Sequence, residues 1–230
     1  MKILAIDTAT EACSIALWYD DQVQERFIEQ PQGHGALILN MMDTLLNEHG
    51  IKLKDLDALA FGRGPGSFTG VRIAVSVAQA VGFGADLPLI PVSNLAMLAQ
   101  GWYREAKAMY IIPALDARMK EIYVGYFQII NGLAQSMSEE QVTTPDNFRL
   151  SLNCQHWHGV GRGWTTYHTI LKMQIGQQLI VINPEFLCHA QDALPFAIAA
   201  LKTGCTVTPE QALPVYLRDK VVTSALISKK

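Results

Sequence analysis

The chain opens Ile3-Leu4-Ala5-Ile6-Asp7-Thr8-Ala9-Thr10-Glu11, a short unbroken apolar run that ends on an aspartate and a polar turn. Four apolar residues in a row, bounded by turn signals, are what a strand buried on both faces requires. Outward from there, residues 13–19 are apolar again, Asp20-Asp21 turns the chain, and residues 23–30 alternate loosely as a third strand. The same order returns later. Tyr110-Ile111-Ile112-Pro113-Ala114-Leu115 ends on Asp116, residues 121–130 read as one apolar strand, and Asn131-Gly132 is a hairpin turn into a third strand. The two halves share almost no residues, so the repeat is one of architecture.

Between these stretches, Leu37, Ile38, Met41, Met42, Leu45 and Leu46 recur at helical spacing and stop near Gly50, a natural C-cap. Residues 57–61 read as a strand leading into a glycine-dense loop, 62–70, and then a helix over 71–83. That helix carries small residues at Ala74, Ala78 and Gly82, a period of four that lets another element come close. It is apolar nearly all round, which predicts burial on more than one side. A strand over 88–92 precedes Ser93, the N-cap of a helix over 94–102. A second module begins near Met109 and holds a short helix opened by Thr144-Pro145-Asp146, a strand-loop at Val160, a strand at 180–182 and an amphipathic helix over 192–201. The division predicted is 1–105, 106–218 and a fraying tail, 219–230, with the final helix packing back on the first module.

The 230 residues make one large domain or two small ones, and half of them are apolar, which excludes a disordered chain. Eighteen Lys and Arg against twenty-one Asp and Glu leave a formal charge of −3, a poor endowment for gripping nucleic acid unaided. Cys13, Cys154, Cys188 and Cys205 have no paired spacing, so neither a disulfide framework nor a zinc ribbon is indicated. The opening run is too short for a signal peptide, and no uninterrupted apolar stretch of membrane-spanning length is present. The expectation is a cytoplasmic protein with no membrane partner.

Gly62-Arg63-Gly64-Pro65-Gly66-Ser67-Phe68-Thr69-Gly70-Val71-Arg72 is the strongest local motif. Its glycines permit close backbone approach, and amides at a helix start favour an anion. It is neither a Walker A loop nor a nucleophile elbow. A packing turn that presents a surface, or a phosphate cradle using Gly64 and Gly66, both remain open. So do two readings of Asp7 and Thr8: ligands of hydrated magnesium and phosphate faced by Asp116-Ala117-Arg118 from the second half, or simple turn caps. Cys154, His156 and His158 share a strand face but lack a fourth metal ligand, so incidental proximity is the expectation. No catalytic pairing follows from spacing; His34 is read as a contact or capping residue ahead of its helix.

Two modules of strand-strand-strand-helix-strand-helix, each with Asp after its first strand, resemble the actin-like ATPase superfamily. More closely, residues 6–10, residues 62–72, Leu115-Asp116-Ala117-Arg118-Met119-Lys120-Glu121-Ile122-Tyr123 and Pro214-Val215-Tyr216-Leu217-Arg218 are similar to the TsaB (YeaZ) family, which acts in forming N6-threonylcarbamoyladenosine in tRNA. The resemblance implies an α/β fold of two tandem actin-like, RNase H-like modules, each a mixed sheet with flanking helices. It implies a non-catalytic subunit that pairs with the transferase TsaD, engages TsaE and works beside the threonylcarbamoyl-AMP synthase TsaC. tRNA is then met through the complex, at adenosine 37 of tRNAs reading ANN codons, and the chain alone forms a homodimer. In TsaD two histidines four residues apart bind metal; Asn94 and Leu98 stand at the matching places here, and leucine cannot coordinate. No metal or cofactor is therefore implied beyond weak ATP or ADP with magnesium at a vestigial cleft of Asp7, Thr8, Gly64, Gly66 and Asp116. The partner surface is placed on the two early helices, at His34, Leu37, Ile38, Met41, Leu45, Val71, Arg72, Val75 and Ala78. A stand-alone kinase or acyl or carbamoyl transferase of the same fold is the alternative.

Overall fold

The computed structural model describes residues 1–30, 33–150 and 156–218. Its first sheet consists of β1 (Ile3–Asp7), β2 (Ala12–Tyr19), β3 (Gln22–Glu29), β4 (Ala58–Gly62) and β5 (Leu89–Val92), in the order β3-β2-β1-β4-β5. The first three strands are an antiparallel meander, whereas β4 and β5 run parallel to β1 and need helical crossovers. Those crossovers place α1 (His34–Glu48) and α2 (Phe68–Ala85) over one face. The other face receives α3 (Asn94–Ala106) and α5 (Leu194–Thr203).

Side-chain alternation explains how β1 serves both layers. Leu4 and Ile6 join the core under α1 and α2, while Ile3 and Ala5 point into the core under α3 and α5. The second face is floored by Ala5, Ala16, Ala58 and Ala60, whose small side chains let the covering helices come close. All five residues of β1 are buried, as the unbroken apolar run predicts.

The second sheet contains β6 (Tyr110–Arg118), β7 (Glu121–Val124), β8 (Phe127–Ile130), β9 (Leu133–Ser136), β10 (Gln141–Thr143), β11 (Trp157–Val160) and β12 (Leu179–Asn183). The predicted single strand over 121–130 is broken into β7 and β8, both antiparallel to β6. The break falls opposite Pro113, where Gly125 N still donates to the Pro113 carbonyl at 3.4 Å but Pro113 has no N–H to return. Asn131-Gly132 does close the β8–β9 hairpin, with Ile130 opposite Leu133.

Helix α4 (Gly163–Ile175) has no counterpart among the predicted elements. Its sequence GWTTYHTILKMQI is poor in strong helix formers, and tertiary packing holds it: Trp164, Leu171 and Ile175 bury one face, and Trp164 Nε1 donates to Ile112 O at 3.0 Å. Other boundaries shift. α1 starts at His34 rather than beyond it, α2 begins at Phe68 under the Ser67 cap, and α3 runs on to Ala106. Ser93 caps α3 by accepting from Ala96 N at 3.3 Å.

The first two turns of α3 are buried on every side, because its core cluster includes Ile3 and Ala60 of one sheet and Ile111, Leu115 and Val160 of the other. This helix is the shared axle between the sheets. In length and composition α2 alone, among the described helices, is apolar enough to cross a membrane. Its apolarity is accounted for by packing, since Val71, Ala74, Val75, Ala78 and Val81 are all buried in the core.

Candidate functional site

Asp7 ends β1 with none of its surface exposed. Its Oδ1 accepts from Asn94 Nδ2 at 2.6 Å and its Oδ2 from Ala9 N at 3.3 Å. Burial pushes its pKa up to about 6, against the opposing pull of the Asn94 and backbone hydrogen bonds. Asn94, the first residue of α3, is held in turn: its Oδ1 accepts from Gly64 N at 2.8 Å, and its own N donates to Gly64 O at 3.0 Å. Asp7, Asn94 and the glycine loop therefore form one closed knot.

The loop's glycines are there because other groups pack directly on its backbone. A Cβ at Gly62 would stand 2.0 Å from Asp7 Oδ1, and one at Gly70 would stand 2.0 Å from Thr8 O. A Cβ at Gly66 would stand 2.5 Å from Ala9 O, and Gly64 combines a φ of +102° with close approach to Val215 O. Several of the loop's amides are engaged inside the protein. Ser67 N donates to Ala9 O at 2.7 Å and Gly70 N to Ser67 Oγ at 3.4 Å. Thr8 Oγ1 donates to Gly70 O at 2.6 Å, facing the loop rather than a ligand.

A segment far along the chain closes the remaining side. Cys188 Sγ reaches Asn94 O at 3.4 Å, and Ala190 N donates to Ser14 Oγ at 2.9 Å. His189 stacks on Phe27 at 4.2 Å, and Glu25 on β3 accepts from Gln191 N at 3.1 Å and from its Nε2 at 2.6 Å. Asp192 is buried and paired with Arg104 at 2.8 Å; its pKa is pushed up to about 6 by burial. Each carboxylate oxygen of Asp7 thus accepts one hydrogen bond from within the chain, and the backbone at Gly62 lies too close to Asp7 Oδ1 for any side chain there. Leu98 is fully buried in the core, where Gly161 abuts its Cδ1.

Asp116 belongs to a different setting. Its Oδ1 accepts from Arg118 N at 2.8 Å and its Oδ2 pairs with Arg118 Nη1 at 3.1 Å, capping the turn between β6 and β7. Arg118, Met119 and Lys120 all adopt left-handed φ values, of 62°, 52° and 64°. The last described residues strap this turn to the glycine loop. Val215 N donates to Arg63 O at 2.8 Å, while Arg218 donates to Ala117 O at 3.0 Å and pairs with Glu121.

The helix residues placed on the partner surface need correction. Ile38, Met41, Leu45, Val71, Val75 and Ala78 are buried in the chain's own core beneath α1 and α2, and Leu37 packs against it. The physical reason is that the strongest apolar stripe of a helix faces its sheet. His34 is buried as well, with Nδ1 3.3 Å from Thr8 O and Nε2 2.5 Å from Gln30 O, so it ties α1 to the Asp7 turn. Arg72 does lie at the surface, stacked 3.4 Å over Phe68 and donating to Tyr216 Oη at 2.8 Å. The outward faces carry Leu39, Phe68 and Phe83, which are 52%, 58% and 60% exposed. A groove of about 440 Å3 lies there, lined by Gly35, Phe68, Arg72, Ile73 and Val77. Sequence reasoning named Arg72 and missed the others because each lies off its helix's main stripe.

Among the described residues no three His, Cys, Asp or Glu side chains gather to hold a metal ion. Cys154 lies outside the described residues, and His158 Nδ1 accepts from Trp102 Nε1 at 2.9 Å, with its pKa lowered by burial.

Comparison with known proteins agrees with this architecture. The family model described as TsaD, tRNA N6-adenosine threonylcarbamoyltransferase, matches residues 28–223. The tRNA threonylcarbamoyladenosine biosynthesis protein TsaB of Escherichia coli strain K12 is 42% identical over 234 aligned positions, the whole of both chains. TsaB of Haemophilus influenzae is 35% identical, covering 96% of this chain and 95% of that one. The solved structure of YeaZ from Pseudomonas aeruginosa matches with a TM-score of 0.88 at 40% identity, covering 94% of this chain and 99% of that one. A fold of two mixed sheets with flanking helices, built around a glycine loop that packs on the Asp7 turn, thus coincides with full-length similarity, and the chain belongs to the TsaB (YeaZ) family of tRNA threonylcarbamoyladenosine biosynthesis proteins.

Proposed function

We propose that the chain is a non-catalytic subunit required for threonylcarbamoyl transfer to N6 of adenosine in tRNA, acting by pairing with a TsaD-type transferase. The observation that carries this reading is the closed knot of Asp7, Asn94 and Gly64, in which the carboxylate at the end of β1 is engaged by the chain's own groups. A chain that keeps the architecture but fills the site has its surface left to work with. The outward faces of α1 and α2, with Leu39, Phe68 and Phe83 exposed and an apolar groove between them, are the surface offered to the partner. Binding there stabilises the partner's competent conformation through greater affinity for it. TsaE and tRNA are met through the pair, and in the partner's absence the same face takes a second copy of the chain.

The test is reconstitution. Purified chain, TsaD and TsaE are supplied with tRNA and threonylcarbamoyl-AMP, and the modified nucleoside is measured by mass spectrometry. Product is expected only when the chain and TsaD are both present. Turnover by this chain alone would establish the stand-alone transferase instead. Calorimetry with ATP and magnesium sharpens the point: no binding tighter than about 1 mM is expected at the filled cleft.

A further inference from the structure

A cavity of about 580 Å3 opens on the other side of α3's N-terminus, where β5 and α3 meet β8, β9 and α5. Its polar end holds Arg63, Ser93 and Glu140, and its walls include Phe127, Phe196 and Val207. Arg63 serves the glycine loop only through its backbone, with N donating to Val92 O at 2.9 Å. Its guanidinium is left over. Nε is sealed from solvent with no hydrogen-bond partner, and among the described residues no carboxylate closes on it as an ion pair.

A buried N–H without an acceptor costs free energy, so the persistence of the Arg63 Nε–H beside a cavity calls for a ligand acceptor. Glu140 is the other charge. Its carboxylate accepts from the Ser93 hydroxyl. Burial raises its pKa, while Arg63 acts through space to favour the ionised form. The two groups thus present one positive and one negative charge at the end of an apolar chamber. A simple anion would satisfy Arg63 but be repelled by Glu140, and a simple cation would meet the reverse. A zwitterion answers both.

We propose that this cavity binds a free α-amino acid with an apolar side chain, its carboxylate on Arg63, its ammonium on Glu140 and its side chain against Phe127, Phe196 and Val207. This site is independent of the pairing with a transferase, since none of its residues lies on the outward faces of α1 or α2.

Calorimetry of the full chain with L-phenylalanine and L-leucine tests the assignment, with 3-phenylpropionate and phenethylamine as probes lacking one charge each. Saturable binding near or below about 1 mM is expected for the amino acids, at least tenfold tighter than for either probe. Arg63→Gln should abolish binding of amino acid and phenylpropionate alike without altering the melting temperature, because its buried Nε has no hydrogen-bond partner among the described residues. Glu140→Gln keeps an acceptor for Ser93 and should reverse the order, so that phenylpropionate binds at least as well as phenylalanine. No saturable heat from either amino acid up to about 10 mM, equal binding of phenylpropionate by the unaltered chain, or undiminished binding in Arg63→Gln would each overturn the proposal.

Discussion

Asp7 and Asp116 hold the same station in the two halves, each at or near the end of a central strand that leads into a hairpin. Asp7 has no exposed surface and makes its bonds to Asn94 and Ala9, whereas the side chain of Asp116 is 34% exposed and pairs with Arg118 two residues on. One has been drawn into the core by residues from the glycine loop, α3 and the segment around Cys188, and the other caps its own turn. Each carboxylate is engaged by a different route: long-range enclosure in one half, local hydrogen bonding in the other.

The contrast can be broken most forcefully at the glycine loop. Gly70→Ala places a Cβ against the Thr8 carbonyl, backbone on backbone, with no flexible side chain to give way. A loss of about 3 kcal/mol or more in denaturant unfolding is expected. An unchanged midpoint would mean that the Asp7 turn is not locked by the loop.

A smaller effect is expected from pH. Burial raises the pKa of Asp7 and of Asp192 to about 6 in the folded chain, above the usual carboxylate range. A raised folded pKa means that the proton stabilises the folded state at low pH and that this stability is lost as pH rises through about 6. Going from pH 7 to pH 5, the unaltered chain should gain on the order of 1 kcal/mol relative to Asp7→Asn, which has no proton to take up at that position. Parallel pH profiles for the two proteins would contradict the enclosure. Smallest of all is Asp116→Ala, whose exposed pairing with Arg118 should be worth less than about 1 kcal/mol; a larger loss would show that the left-handed turn depends on it.

How much of this was legible in the sequence follows the same division between local and distant causes. The three-strand opening, the Ser93 cap and the Asn131-Gly132 hairpin are set by adjacent residues and were readable. The bend between β7 and β8 was readable in principle, because Pro113 breaks any ladder that pairs with it, but only once β6 is known to lie opposite. Helix α4 was not, since residues of weak helical preference are held there by Trp164 and Leu171 burying themselves under the second sheet. At the site, Asp7 and the glycines were found, but their state was not. Asn94 lies 87 positions from Asp7, and the Ala190 amide that meets Ser14 lies 176 away. Likewise the apolar stripes of α1 and α2 were visible, while the choice of face inverted the surface residues: Ile38 and Val75 are core, and Leu39 and Phe68 are outside.

The central claim is that this chain works through the outward faces of α1 and α2 and not through Asp7. The most direct measurement is threonylcarbamoyl transfer to tRNA by the reconstituted system, comparing Phe68→Asp with Asp7→Asn after both have been shown to melt as folded proteins. The account predicts that Phe68→Asp lowers product formation at least tenfold, recoverable by raising the chain's concentration, while Asp7→Asn stays within twofold of the unaltered chain. Full activity in Phe68→Asp together with loss in Asp7→Asn would contradict it.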